Sequence, residues 1–180
     1  MDKFEFIAVL VSIVFGVAIT NLLSGMLRSY FKRDLSNTRL AWSLAVGMVL
    51  VANWWGFFRW SDNPEWEFPE FLFLMFWSTT HYLLAVSMYP YAFLDEYSEE
   101  MQRKFLLCSM LVVVVADVAE NAVRGELFSP WHYPVFISSI GVLAATPLVW
   151  KNPIVMCIAG WMLFAAVISW MTLVRGVLAS

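Results

Sequence analysis

Ala116-Asp117-Val118-Ala119-Glu120-Asn121-Ala122-Val123-Arg124 closes an apolar run that begins at Phe105, and its reading decides the fold. Positions 105–116 carry no charge, yet the end of the run holds two acids, an amide and a base. At about 100° per residue, positions 117, 120, 121 and 124 share an arc of about 100° on a helix. One side of an otherwise lipid-compatible helix is therefore polar. Polar groups in hydrocarbon need partners from neighbouring helices.

The rest of the chain supplies those neighbours. Of its 180 residues 61% are hydrophobic and 17% aromatic, with mean hydropathy +0.71, far above the roughly 45–50% apolar content of soluble domains. Six stretches, 6–27, 40–58, 71–94, 105–123, 127–150 and 152–174, come close to the ~20 residues that span a bilayer. The expected fold is all-α: one integral membrane bundle of six transmembrane helices, at about 4–28, 39–60, 69–94, 98–124, 130–150 and 153–178, without a soluble domain. Short connections argue for antiparallel neighbours.

Lys and Arg set the orientation. With the N-terminus outside, Arg28, Lys32, Arg33, Arg39, Arg103, Lys104 and Lys151 lie inside, and Lys3, Arg59, Arg124 and Arg175 outside. Seven against four favours N-out, C-out. The start, Met1-Asp2-Lys3-Phe4-Glu5, is acidic where a signal peptide is basic, so the first run reads as a retained helix, and no lipid-anchor motif is present.

Several function classes drop out. Net charge −3 and the lack of a basic block or phosphate loop argue against nucleic acid. Cys108 and Cys157 sit inside apolar runs without metal-ligand spacing, and buried structural thiols are the expectation for them. No HExxH, GxSxG, Ser-Lys or Cys-His arrangement occurs, and two histidines are too few for an ordinary multi-histidine metal site, so neither an enzyme nor a cofactor is expected. His81, mid-span, has no second histidine at its depth to hold haem, because His132 belongs near the outer surface. It reads as a neutral core residue, with a proton relay or ligand role as the alternative.

Local signals punctuate the helices. Ala8, Ser12, Gly16, Thr20 and Ser24 place a small residue at every fourth position of the first helix, a ridge suited to packing against another helix or a second copy of the chain. Asn21 suits an interhelical hydrogen bond. Trp54, Trp55, Trp60 and Trp66 read as an interfacial aromatic belt. Pro69 fits a first helical turn, Ser98 and Asn152-Pro153 fit helix starts, Pro90 fits a kink or an end, and Glu99/Arg103 and Glu100/Lys104 are i,i+4 pairs.

Asp117 lies a little beyond mid-membrane and Arg124 ~10 Å nearer the outside at 1.5 Å per residue. Beneath them on the same face come Val113, Met110 and Leu106, so the polar patch resembles an outward-opening pocket with an apolar floor. Two acids face one base, and three outward-running helices end in arginines, Arg59, Arg124 and Arg175. Three readings stay open: an interhelical ion-pair network, a proton- or cation-linked site, and capture of an anionic lipid head group.

Ser12-Ile13-Val14-Phe15-Gly16-Val17-Ala18-Ile19-Thr20-Asn21-Leu22-Leu23-Ser24-Gly25, the basic loop after it and Asn53-Trp54-Trp55 resemble a group of small bacterial polytopic membrane proteins without an established activity. The resemblance implies a bacterial inner-membrane protein and carries over no site residues. The functional expectation is a small transporter or channel-like protein whose pocket, lined by Asp117, Glu120, Asn121, Arg124, Asn53 and His81, handles a proton, cation or small solute. The alternative is a non-transporting sensor or assembly subunit held together by the same charges.

Overall fold

The computed structural model describes residues 3–63, 65–90 and 98–173. Its helices are α1 (Lys3–Phe31), α2 (Asn37–Phe57), α3 (Phe68–Met88), α4 (Glu99–Val123), α5 (Tyr133–Val149) and α6 (Pro153–Leu173), with a 3-10 segment, Phe58–Asp62, continuing α2. No strand occurs among the described residues. Five helices are long and apolar enough to cross a membrane, and α5, at 17 residues, is a shorter apolar one. The expected ends at 91–94 and 174–178 lie outside the described residues.

The helix starts follow the capping chemistry. Ser98 accepts a hydrogen bond from Met101 N–H at 3.3 Å, and Asn152 accepts one from Ile154 N–H at 2.8 Å. Pro69 stands in the first turn of α3, which a Glu67/Glu70 capping box closes, and α3 stops two residues before Pro90. Glu100 pairs with Lys104 at 3.0 Å and with Lys151 at 3.3 Å, which ties the α5–α6 connection to the start of α4.

The helices close into a ring in the order α1, α3, α4, α5, α6, α2. Phe4 at the start of α1 stacks on Phe57 at the end of α2, whereas Trp42 Nε1, early in α2, donates to Met156 O, early in α6, at 2.8 Å. Thus α1 and α2 run antiparallel, and α2 and α6 parallel. Gly160 permits the α2–α6 approach, since a Cβ there would stand 2.9 Å from the Trp42 ring. Asn21 makes its expected interhelical bond, donating to Ala85 O at 3.4 Å.

The face that α1 buries differs from the ridge of small residues. Ile7, Val11, Phe15, Ala18, Leu22, Gly25 and Ser29 are buried, while Gly16, Thr20 and Ser24 are exposed. A Cβ on Gly16 would meet nothing within 4 Å, but one on Gly25 would overlap the Tyr89 ring. Bulky side chains of the apolar stripe interlock with α3, where Phe15 packs on Trp77 and His81. Small residues permit close approach only where a partner is available. Within this chain Ser12 finds one, accepting from Trp54 Nε1 at 3.2 Å.

Candidate functional site

The polar face of α4 meets α2, α3, α5 and the 3-10 segment at one end of the bundle. Its terminus determines the geometry. Arg124 caps α4 and Gly125 follows at φ +70°, a backbone conformation glycine adopts without steric cost. Gly125 N–H bonds Ala122 O at 3.0 Å and Glu126 N–H bonds Asn121 O at 2.8 Å, the paired bonds of a Schellman turn. This reversal brings Glu126 back beside Arg124.

Glu126 then holds two cations. Its Oε1 accepts from Arg124 at 2.7 Å and its Oε2 from Arg59 at 2.6 Å. Glu120, buried at 4% exposure, lies 3.6 Å from each of the same guanidinium groups. Its carboxylate accepts from Trp60 Nε1 at 2.7 Å and from Asn121 Nδ2 at 2.9 Å, and the Arg124 guanidinium stands 5.7 Å over the Trp60 ring. Two acids and two bases therefore form a neutral four-residue clasp. Trp60 is a buried donor inside it rather than part of an interfacial belt. Arg175 lies outside the described residues.

Asp117 stands apart from the clasp. Trp77 Nε1 donates to its Oδ1 at 2.9 Å, the Asn53 amide stands beside it, and His81 Nε2 lies 3.5 Å from the same Oδ1. His81 is fully buried between Phe15 and Trp77, and its Nδ1 bonds Trp77 O at 2.9 Å. A carbonyl only accepts, so Nδ1 carries a hydrogen. In neutral imidazole Nε2 is then a bare acceptor facing a carboxyl, and it makes no hydrogen bond. One proton, on either partner, satisfies both.

Asn121 completes the wall. Its Nδ2 lies within 3.0 Å of Asp117 O, Glu120 Oε2 and Tyr133 Oη, while its buried Oδ1 has no partner. Tyr133 donates to Asp117 O at 3.2 Å, which fixes the start of α5 against α4.

These groups border a cavity of about 600 Å³ between α2, α4, α5 and α6. Asn53, Asp117, Asn121, Arg59 and Arg124 reach it, whereas Glu120 and His81 lie behind its wall. Val113 and Met110 form part of its apolar lining, as the sequence suggests. Leu106 instead borders a second cavity, of about 330 Å³, with Arg39, Glu99 and Arg103 at the opposite end. One turn of α4 separates Leu106 from Met110 and hence the two spaces. Trp77, Tyr133 and Glu126 were not among the residues the sequence singled out, and Trp60 was read there only as part of the belt; for Glu126 the signal was Arg124-Gly125-Glu126, a helix stop returning an acid to the base before it.

No protein family, curated protein or solved structure matches this chain. The site's function therefore rests on its own geometry.

Proposed function

We propose that the chain is a six-span bacterial inner-membrane protein with both termini outside, and that its larger cavity is the outward-facing pocket of a transporter or channel-like protein for a proton, cation or small solute. The basic residues Arg28, Lys32, Arg33, Arg39, Arg103, Lys104 and Lys151 gather at the bundle end opposite the cavity rim, and such an excess favours the cytoplasmic side. At 1.5 Å per residue α5 measures about 25 Å, close enough to a ~30 Å hydrocarbon core for local thinning to accommodate it. The exposed side of α1 bearing Gly16 and Thr20, next to Ala8 and Ser12, is the face a second copy would use.

One observation carries the functional reading: Asp117 is an intramembrane acid of the cavity wall that no arginine pairs among the described residues, unlike Asp62 in the 3-10 segment at the rim, and it shares a proton-deficient contact with His81. The alternative, a purely structural network, is favoured for Arg59, Glu120, Arg124 and Glu126, whose charges cancel within the clasp. The two roles thus divide between neighbouring residues. Liposomes holding the purified protein and an internal pH-sensitive dye test the division. Asp117→Asn should abolish proton flux while the protein elutes as folded. Wild-type flux from that variant would sink the proposal.

A further inference from the structure

Building on that outward-facing pocket, we propose that the larger cavity binds a small organic ammonium ion with an apolar body, with Asp117 as its counter-ion and Asn121 Oδ1 as a second hydrogen-bond acceptor.

The polar inventory of the wall selects a donor. Both guanidinium groups are committed to Glu126 at 2.6 and 2.7 Å, and the Trp77 indole N–H to Asp117. Two buried polar atoms of the lining residues make no hydrogen bond: Arg124 Nη1, a donor that faces the Glu120 carboxylate at 3.6 Å, and Asn121 Oδ1, an acceptor on a side chain only 3% exposed. Buried acceptors without partners are costly, so a ligand N–H aimed there gains where a carbonyl or carboxylate would lose.

Charge selects a cation. Once Arg59 and Arg124 are cancelled by Glu120 and Glu126, the lining retains Asp117 and, at the rim, Asp62. The same cancellation leaves no arginine without a carboxylate partner among the described residues of the lining for a phosphate or an anionic head group. The remaining lining selects an organic body. Val113, Ile140 and Val167 supply apolar wall, and Phe136 and Trp170, stacked on each other with centroids 4.2 Å apart, add aromatic lining of the kind that attracts cations. At about 600 Å³ the space falls within the ~300–1,000 Å³ of small-molecule sites. No cluster of three acids, histidines or cysteines that could hold a metal ion occurs among the described residues.

Binding is coupled to the proton. As the ammonium takes the place of the proton on the Asp117–His81 couple, one proton leaves for the outer solvent, and nothing is oxidised or reduced. The charged and titratable groups around Asp117 are His81 of α3, Arg59 and Asp62 of the 3-10 segment, Glu120 and Arg124 of α4, Glu126 after it and Tyr133 of α5. The neighbours from α2 and α6, Asn53 and Trp170, do not titrate.

Calorimetry on the full chain in lipid nanodiscs, with phenethylammonium, 2-phenylethanol and phenylacetate as probes of one shape, decides the matter. Saturable binding of the ammonium about tenfold or more tighter than the alcohol, the difference one charge-assisted hydrogen bond supplies, is expected. Proton release should accompany it. Asp117→Asn should weaken it by a similar factor, Asn121→Ala should weaken it less, and Asp117→Glu should retain most of it, which separates lost charge from lost fold. Preference for phenylacetate, equal affinity for ammonium and alcohol, or no saturable binding would overturn the inference. Asp117-dependent proton flux without ammonium binding would refute this ligand class while leaving the pocket's transport role standing. Binding without flux would do the reverse.

Discussion

Replacing Glu126 by glutamine separates the structural charges from the functional one. Glu126 accepts charge-assisted hydrogen bonds from Arg59 and Arg124 at 2.6 and 2.7 Å, and its side chain is 31% exposed against 12% for Arg124 and 5% for Glu120. Removing its charge leaves two guanidinium groups sharing Glu120 alone. Breaking a buried pair costs about 3–5 kcal/mol, and partial exposure of Glu126 screens part of that, so a loss of about 2–3 kcal/mol is expected. Thermal unfolding in detergent, followed by the tryptophan emission, reads it as a lower midpoint. A double-mutant cycle gives the sharper result. Glu126→Gln and Arg124→Gln should couple by about 1–3 kcal/mol, because the second change removes a cation the first left unpaired. Asp117→Asn and Arg124→Gln, two helical turns apart and without a shared partner, should add within about 0.5 kcal/mol. A larger coupling of Arg124 to Asp117 than to Glu126 would refute the division of the site into a clasp and a separate acid.

Other consequences follow from single contacts. Gly125→Ala should cost about 1–2 kcal/mol in the same unfolding assay, since φ +70° crowds a Cβ and the Schellman turn places Glu126. Gly25→Ala should lower the midpoint by driving a Cβ into the Tyr89 ring, at about 1–3 kcal/mol for overpacking, whereas Gly16→Ala should not lower it. A Gly16→Leu variant that changes assembly size on gel filtration would mark the ridge as a contact between copies. For orientation, with Cys108 and Cys157 replaced by serine, a cysteine at Glu65 should react with a membrane-impermeant maleimide in intact cells, and one at Lys32 only after lysis.

Much of the architecture was legible because it is written in local chemistry. Ser98, Asn152-Pro153 and Pro69 act within one turn of themselves, so helix starts could be read directly. The polar arc of α4 was likewise visible, being a property of one helix. Its partners were not, because pairing depends on which helices adjoin. In hydrocarbon an apolar stripe does not say which way it faces, since lipid and protein are equally apolar. For that reason the Ile7, Val11, Phe15 face of α1 was concealed behind the more conspicuous small-residue ridge. Trp60 illustrates the same limit: tryptophan near a helix end fits an interfacial belt, and only Glu120, sixty positions away, shows it to be a buried donor. Glu126, which the sequence reading left out of the count, pairs with Arg59 and Arg124, two of the arginines an anionic head group would have used.

The most direct test is proton flux through liposomes at matched protein density for the wild type, Asp117→Asn and Glu126→Gln. A division of labour predicts no flux from a folded Asp117→Asn protein, and flux per folded molecule near the wild-type rate from a less stable Glu126→Gln protein. Undiminished flux from Asp117→Asn would contradict it.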